Sequence, residues 1–238
     1  MQKTFVIGDI HGGLKALIQI LDRAKVMPDD QLIFLGDYVD RWYESAQTID
    51  FLINFQKTHN CIFIRGNHDD LLQKYLEGAP ENTMWLNAGG AQTIKSYQNT
   101  PQKNKYKHLE FLKSLKSYYL DNQQRLFVHG GFTHMRGVRY EWHETMLYWD
   151  RTLWETALSL NPALQKTDLY YPKRLKLYHE IYIGHTATIE IAQTTPQNYA
   201  NVWNIDTGAG YVGKLTIMNI DTKEFWQSDQ LNLLYQNF

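Results

Sequence analysis

The sequence has little net charge and a single cysteine. Its 238 residues include 24 lysines and arginines and 25 aspartates and glutamates, which gives a formal charge of -1. The lone cysteine, Cys61, excludes a disulfide within the chain, and its place at the start of an apolar segment favours a small core residue over a nucleophile. The near-neutral charge argues against a nucleic-acid-binding protein, which normally carries a basic surface.

Long hydrophobic runs are also missing from the sequence. No apolar stretch approaches the roughly 20 residues that a membrane-spanning helix needs. The first residues hold one lysine and then a strand-like segment with a polar motif, unlike the apolar region and cleavage site of a signal peptide. We therefore expect a cytoplasmic protein with no membrane partner. A hydrophobic content of 43% suits a globular chain, and the length predicts one domain over residues 1–238.

Five short apolar segments each end in a glycine or histidine followed by polar residues. With their polar endings they read TFVI-GDIHGG, LIFL-GDYVDR, IFIR-GNHD, LFV-HGG and IYI-GHT, and the endings begin at Gly8, Gly36, Gly66, His129 and Gly184. In the first, Asp9 and His11 stand two residues apart, so both side chains point to one side. Burying such a carboxylate costs several kcal/mol unless a cation or a partner compensates it. We expect the five strand ends to converge on one site.

Helix-like segments separate the first three motifs. Apolar residues recur at helical spacing from Leu14 to Leu21 and again from Ala46 to about Thr58. Strands that alternate with helices predict an α/β fold with its site at the carboxyl ends of the strands. Residues 70–122 lack such motifs and show further helical spacing, including a helix through Tyr119, which predicts a helical insertion.

Strand-like segments return in the second half of the chain. We predict strands at Arg125–Val128, Glu180–Ile183, Val202–Asp206, Lys214–Asn219 and Glu224–Gln227, with a hairpin turn at residues 221–223. Because short turns join the late strands, we expect a second, largely antiparallel sheet packed on the first.

In this order the five motifs resemble those of the phosphoprotein phosphatase branch of the calcineurin-like metallophosphoesterases, and most of all its small bacterial serine/threonine-type members. The resemblance runs from Thr4 to the segment at residues 206–209 and the strands after it. It implies a two-sheet mixed β-sandwich flanked by helices, with the helical insertion at about residues 70–122.

Six residues of the motifs are candidate metal ligands, and they offer only oxygen and nitrogen donors. They are Asp9, His11, Asp37, Asn67, His129 and His185. Such a set favours Mn, Fe, Zn, Co or Ni over a structural zinc site. The resemblance implies two divalent ions, with manganese favoured. Asp9 and His11 would hold the first ion, Asn67, His129 and His185 the second, and Asp37 both. It further implies that a hydroxide between the ions attacks the phosphoryl group.

The resemblance also implies an acid and two phosphate-binding arginines. His68 matches the general acid that protonates the leaving group, and Asp40 matches the carboxylate that keeps it charged. Arg41 offers a planar fork for a phosphoryl group. Arg151 is the best match to the second arginine, with Arg136 and Arg139 as competitors. We expect Asn67 and His68 to face different ways because they would adjoin on an extended strand end.

Two further segments have both a functional and a plain interpretation. Residues 84–93 (MWLNAGGAQT) either lie near the substrate, as the resemblance implies, or form a loop packed by one tryptophan. Residues 206–210 (DTGAG) either form a wall of the cleft or serve as a glycine turn between strands. The remaining histidines are expected at the surface or in packing: His59, His108, His134, His143 and His179.

The leading hypothesis is a metal-dependent phosphomonoesterase that acts on phosphoserine or phosphothreonine of a protein, or on a small phosphate ester. An alternative is the hydrolysis of dinucleoside polyphosphates such as diadenosine tetraphosphate, since those enzymes resemble the same motif series. The two differ in leaving group and cleft wall, which the motifs do not encode. A non-catalytic scaffold of the same fold ranks lower because the acid, its partner and the arginine are all present as His68, Asp40 and Arg41.

Overall fold

The computed structural model describes residues 2–236, which form two five-stranded sheets flanked by helices. The first three strands coincide or overlap with the first three apolar segments noted above. In chain order the strands are β1 (Thr4–Ile7), β2 (Gln31–Phe34), β3 (Asn60–Phe63), β4 (Tyr118–Leu120), β5 (Arg125–Val128), β6 (Glu180–Ile183), β7 (Gln197–Tyr199), β8 (Val202–Asn204), β9 (Thr216–Asn219) and β10 (Phe225–Gln227). The two-sheet α/β sandwich predicted for the chain is thereby confirmed.

The strand order explains how the motifs come together. The first sheet has the order β10-β9-β1-β2-β3, with β1, β2 and β3 parallel and β9 antiparallel to β1. The second has the order β4-β5-β6-β8-β7, with β5, β6 and β8 parallel. Parallel strands end at the same edge of a sheet, so the polar endings of β1 and β2 share one edge and those of β5 and β6 share another.

The sheets pack face to face through an apolar layer. Val6 and Ile33 of the first sheet meet Phe127 and Tyr182 of the second, and all four are fully buried. Side chains alternate along a strand, so the neighbours Phe5 and Ile7 point to the other face, where helices cover them. Each sheet is thus buried on both faces, and the polar motifs lie at the edge where the strands end.

Helices follow most of the strands of the first sheet. In chain order they are α1 (Leu14–Arg23), α2 (Ser45–Phe55), α3 (Asn67–Leu76), α4 (Thr83–Trp85), α5 (Ala91–Tyr97), α6 (Gln102–Ser114), α7 (Met146–Trp149), α8 (Thr152–Leu158) and α9 (Leu231–Leu234). A π-helical turn at Leu86–Gly90 joins α4 to α5. Within residues 2–236, none of these helices combines the length and the apolarity that crossing a bilayer requires.

Several predicted elements differ from the structure. The helix expected through Tyr119 ends at Ser114, because Leu115 is extended and Tyr118–Leu120 pairs with β5. Lys116 just before it makes backbone hydrogen bonds with Phe63 and Arg65 at the end of β3. These partners are distant in sequence, so local periodicity does not reveal the strand.

The second sheet is mixed rather than largely antiparallel. The strands predicted at 214–219 and 224–227 are shorter, and as β9 and β10 they extend the first sheet, with Met218 opposite Val6. The predicted strand at 202–206 ends at Asn204, and the three-residue β7 was not predicted. The hairpin turn is present, since β9 and β10 are antiparallel neighbours.

Candidate active site

The polar residues of all five motifs meet at the edge where the two sheets adjoin. Asp9 and His11 follow β1, and Asp37 follows β2, while His129 and His185 follow β5 and β6 of the other sheet. The first turn of α3 adds Asn67 and His68. Each of these seven residues is at most 9% exposed. The structure therefore brings together every residue that the sequence nominated as a metal ligand, together with the nominated acid, and their roles there remain a prediction.

Asp37 lies at the centre of the group. Its Oδ2 atom is 3.4 Å from Nε2 of His129, 3.7 Å from Nε2 of His11 and 3.9 Å from Nε2 of His68. Asp37 belongs to two sets of side chains whose ligand atoms lie within 4.8 Å of one another, namely His11, Asp37 and His68, and Asp37, His129 and His185. A carboxylate shared by two sets of nitrogen donors has the position of a bridging ligand.

The hydrogen bonds of two histidines fix which ring nitrogen is free. Nδ1 of His11 lies 3.1 Å from the carbonyl oxygen of Val39, and Nδ1 of His129 lies 2.9 Å from that of Leu35. A carbonyl only accepts, so each Nδ1 carries a proton and Nε2 of each ring faces Asp37. Burial disfavours the charged form of His129, but the carboxylate of Asp37 outweighs it and raises the pKa of this ring. Nε2 of His129 also lies 3.1 Å from Oδ1 of Asn67. Nε2 of His129 thus faces oxygen atoms of both Asp37 and Asn67, an arrangement that a shared metal ion would fit.

Two further atoms of the group are buried without a partner. Oδ1 of Asp9 and Nε2 of His185 have no hydrogen bond within the part of the chain that the structure describes. Unpaired buried polar atoms are costly, and ligation of a metal ion would satisfy both. The residues present thus fit a pair of divalent ions held by nitrogen and oxygen donors.

The electrostatics of the site also suit metal binding. Burial lowers the pKa of His11 to about 3 and holds the pKa of His185 well below its usual range, so both rings are neutral at pH 7. Burial opposes ionisation of Asp37, but the surrounding histidines outweigh it and keep the pKa of this carboxyl low. Neutral imidazoles and an ionised carboxylate are the forms that bind metals.

Asp69 supports Asp37 from behind, a role that the sequence analysis missed. Its carboxylate accepts hydrogen bonds from the backbone N–H groups of Asp37, Tyr38 and Gly66, each at 2.8 Å. The side chain is fully buried. Oδ1 of Asp37 in turn accepts from the backbone N–H of His68 at 3.0 Å. The sequence signal that could have indicated this role was the position of Asp69 at the end of the GNHD motif.

Backbone strain is concentrated at the same place. Five of the ten described non-glycine residues with positive φ belong to the site, namely His11, Asp37, Asp40, Arg41 and His185, with φ between 51° and 73°. This left-handed region is unfavourable for residues other than glycine, and strained residues of this kind cluster at functional sites.

Nδ1 of His68 is paired with Asp40, while Nε2 of the same ring faces the candidate ligand Asp37. Nδ1 of His68 lies 2.5 Å from Oδ2 of Asp40, whose residue is fully buried. Burial disfavours the charged ring, but the carboxylates of Asp37 and Asp40 outweigh it and raise the pKa of His68. The expectation of an extended strand end here was wrong, since Asn67 and His68 open helix α3. They still diverge, because successive helical residues point about 100° apart.

The segment at residues 84–93 holds this pair in place. Trp85 donates its indole N–H to Oδ2 of Asp40 at 2.8 Å, and the backbone N–H of Asp40 donates to Oγ1 of Thr93 at 2.9 Å. Gly89 has φ 111°, and a Cβ there would lie 2.4 Å from the nitrogen of Arg41. A Cβ on Gly90 would likewise lie 2.5 Å from the ring of Trp85. The segment is therefore both a tryptophan-packed loop and a neighbour of the candidate acid pair.

The loop at residues 206–210 lies against the candidate metal ligand His11. A Cβ on Gly210 would approach the ring of His11 to 2.5 Å, and the carbonyl of Ala209 accepts the indole N–H of Trp42 at 2.7 Å. Beyond it, the ring of Tyr211 lies 4.8 Å from Cζ of Arg41. The loop is thus a wall of the site, as one of the two interpretations held.

Of the three candidate second arginines, only Arg151 adjoins the cluster within the described chain. Its Nη1 donates to the carbonyl oxygen of His185 at 3.1 Å and to Oγ1 of Thr186 at 2.8 Å. Arg136 and Arg139 instead line a separate cavity of about 270 Å³ beside Tyr178.

A buried nitrogen-and-oxygen cluster at the strand ends of a two-sheet sandwich defines a metal-dependent phosphoesterase. The sequence model of the calcineurin-like phosphoesterases matches residues 3–193, and the chain belongs to this family. The resemblance seen in the motifs is thus confirmed for the calcineurin-like family as a whole.

Relatives that match nearly the whole chain include two kinds of tetraphosphatase. The bis(5'-nucleosyl)-tetraphosphatase PrpE (asymmetrical) of Oceanobacillus iheyensis is 25% identical, over 94% of this chain and 90% of its own length. The symmetrical bis(5'-nucleosyl)-tetraphosphatase of Pseudomonas putida is also 25% identical, over 95% of this chain and 92% of its own. The serine/threonine-protein phosphatase PP1-delta of Caenorhabditis elegans is 41% identical, but only over 66 residues, or 27% of this chain and 22% of its own.

Solved structures show the same fold. A putative diadenosine tetraphosphatase superposes with a TM-score of 0.65 at 16% identity, covering 95% of this chain and 92% of that one. A serine/threonine phosphatase of Saccharomyces cerevisiae gives 0.64 at 16% identity, covering 96% and 80%. These scores are alike, so the fold does not distinguish the two activities.

Proposed function

We propose that the protein hydrolyses dinucleoside polyphosphates, such as diadenosine tetraphosphate, at a phosphoanhydride bond. The observation that carries the proposal is the extent of similarity. The tetraphosphatases match over 94% and 95% of this chain, whereas the serine/threonine phosphatase PP1-delta matches over 27%. The substrate depends on the walls around a metal cluster, so a full-length match is more informative than a local one. This favours the alternative hypothesis of the sequence analysis over its leading one.

The arrangement of side chains supports this chemistry. When bound by the six candidate ligands, two divalent ions would polarise a phosphoryl group and lower the pKa of a water molecule. Arg41 lies beside the loop that contacts His11, and Arg151 lies beside His185. Two guanidinium groups suit a polyphosphate chain, because each binds phosphoryl oxygens through paired N–H donors.

His68 has the position of a proton donor to the leaving group. Asp40 orients the ring through Nδ1 and leaves Nε2 directed at the cluster, 3.9 Å from Oδ2 of Asp37. A raised pKa favours the protonated ring. The leaving group of a phosphoanhydride is a nucleotide phosphate, which is less basic than the alkoxide of phosphoserine and needs a proton less.

A parallel assay tests the proposal. Manganese-reconstituted protein is offered diadenosine tetraphosphate and a phosphoserine peptide at equal concentration, and the products are separated by chromatography. The proposal predicts a higher kcat/KM for the dinucleotide, with either two molecules of ADP or one ATP and one AMP as products. A higher kcat/KM for the phosphopeptide would contradict it and restore the phosphomonoesterase hypothesis.

A further inference from the structure

A polar pocket lies between the start of α2 and helix α5. It has a volume of about 350 Å³ and is lined by Tyr43, Gln47, Gln92, Lys95, Ser96 and Asn99. Small-molecule sites have volumes of roughly 300–1,000 Å³, so the pocket suits a ligand of modest size. None of its residues takes part in the candidate metal cluster or in the acid pair described above.

The pocket adjoins Arg41 through two chain segments. Tyr43 is two residues beyond Arg41, a separation of at most about 7 Å along the backbone. On the other wall, the backbone N–H of Arg41 donates to the carbonyl of Gly89 at 3.3 Å, and Gln92 follows three residues later. The backbone of Arg41, the arginine that we expect to bind phosphate, thus joins the two chain segments that line the pocket.

The pocket lining has the chemistry of a nucleoside site. Nucleobases stack on aromatic rings such as that of Tyr43, and their edges present both donors and acceptors. A side-chain amide carries both kinds of group, and Gln47, Gln92 and Asn99 each supply one. Lys95 adds a positive charge at the rim for a phosphate.

One of these amides has an unused acceptor. Oε1 of Gln92 is buried and has no hydrogen-bond partner among residues 2–236. Buried polar atoms are normally paired, so this oxygen is free for a ligand once the amide turns toward it.

Helix α5, which carries Gln92, is held by two hydrogen bonds just after that residue. Oγ1 of Thr93 accepts from the backbone N–H of Asp40 at 2.9 Å, and Oγ of Ser96 accepts from that of Ala46 at 3.0 Å. Hydrogen bonds thus connect this wall of the pocket to the backbone of Asp40 and of α2, and only the amide of Gln92 has to turn toward a ligand.

We propose that this pocket binds one nucleoside of the substrate. The base lies against Tyr43 and is hydrogen-bonded by Gln92, while the polyphosphate chain extends past Arg41 to the metal cluster. This inference rests on the proposed function and deepens it, since it names the residues that distinguish a nucleotide from a simple phosphate ester.

Competition with an aryl phosphate tests the inference. Hydrolysis of p-nitrophenyl phosphate by the manganese-loaded protein is inhibited by ADP or by inorganic pyrophosphate, and the two inhibition constants are compared. In wild type we expect ADP to bind about tenfold more tightly than pyrophosphate, because only ADP fills the pocket. Tyr43→Ala and Gln92→Met should each weaken ADP about three- to tenfold while the constant for pyrophosphate changes by less than about twofold.

Gln98→Met is the matched control, since this glutamine is exposed at the end of α5 outside the pocket. Calorimetric titration of ADP into wild type and variants measures the same affinities without turnover, and circular dichroism checks their folding. Equal constants for ADP and pyrophosphate in wild type would overturn the inference, as would variants that weaken both inhibitors alike. Failure of the proposed function is a separate result, namely no cleavage of diadenosine tetraphosphate by wild type, because neither arm of this test requires that substrate.

Discussion

Trp85 and His68 share one oxygen of a buried carboxylate. The indole N–H of Trp85 lies 2.8 Å from Oδ2 of Asp40, and Nδ1 of His68 lies 2.5 Å from the same atom. The three side chains come from different segments, and Asp40 has no exposed surface. The indole therefore fixes the orientation of the carboxylate, and the carboxylate fixes that of the imidazole.

Replacing the indole should weaken catalysis more than binding. Trp85→Phe keeps most of the ring but removes the N–H, so Asp40 loses a hydrogen bond and His68 is held less well. We expect kcat to fall about tenfold with little change in KM, because none of these contacts is made to substrate. Steady-state kinetics measure this, with Trp142→Phe as control because that side chain is 82% exposed. An unchanged kcat for Trp85→Phe would show that the contact has no role in catalysis.

The importance of His68 should depend on the leaving group. His68→Asn removes the side chain that we propose as the proton donor. Hydrolysis of a phosphoserine peptide should then slow by on the order of 10²–10⁴, and hydrolysis of diadenosine tetraphosphate clearly less. His179→Asn is the control, since His179 is exposed and outside the cluster. Metal content, measured by mass spectrometry, should be unchanged in both variants. Equal losses on the two substrates, or loss of metal from His68→Asn, would remove His68 from the role of acid.

Substitution of two glycines with similar backbone angles should distinguish the effect of backbone strain from that of a steric clash. Gly89 and Gly78 have φ of 111° and 100°, but a Cβ on Gly89 would lie 2.4 Å from the nitrogen of Arg41, whereas one on Gly78 would meet nothing within 4 Å. Alanine at either position strains the backbone and should lower the melting temperature. Only Gly89→Ala should displace Arg41, so we expect kcat/KM to fall at least about tenfold there and to stay within about twofold for Gly78→Ala. The position of Arg41 does not matter for activity if both variants are equally active.

Cys61 should be unreactive in the folded protein. Burial raises the pKa of its thiol to about 12, because the apolar surroundings disfavour the thiolate. At pH 8 the native protein should therefore react with iodoacetamide at least about 100-fold more slowly than the denatured chain, whose thiol has a pKa of about 8.5. The native rate should rise as the pH approaches 12. Similar rates at pH 8 for the native and denatured protein would show that Cys61 is accessible and ionised.

The convergence of the site was predictable because strand topology determines it. Asp9 and Asp37 follow parallel strands of the first sheet, and His129 follows one of the second. The ends of parallel strands share an edge within each sheet, and the site forms where these two edges adjoin. The motif endings therefore identified the buried cluster without knowledge of the sheet order. The placement of β9 was not predictable in this way, since a strand shows its apolar character in sequence but not its partner.

The supporting contacts could not be predicted for the same reason. Trp85 reaches Asp40 across 45 residues of sequence, and Asp69 binds the backbone of Asp37 across 32. Such contacts depend on how helices α3 to α5 pack over the sheet, and no local pattern records that packing. The pocket beside Tyr43 and Gln92 likewise exists only once α2 and α5 are side by side.

Hydrolysis in ¹⁸O-labelled water tests most directly whether this cluster cleaves a phosphoanhydride bond. Diadenosine tetraphosphate is incubated with manganese-loaded wild type, with Asp37→Asn or with the exposed control Asp29→Asn. The masses of the product nucleotides are then measured by mass spectrometry. We predict that wild type and Asp29→Asn yield a nucleotide with one ¹⁸O on its terminal phosphate. We predict that Asp37→Asn yields on the order of 10³-fold less, because it lacks the carboxylate that we propose as the bridging ligand. An intact dinucleotide with wild type, or equal product from Asp37→Asn, would contradict the account.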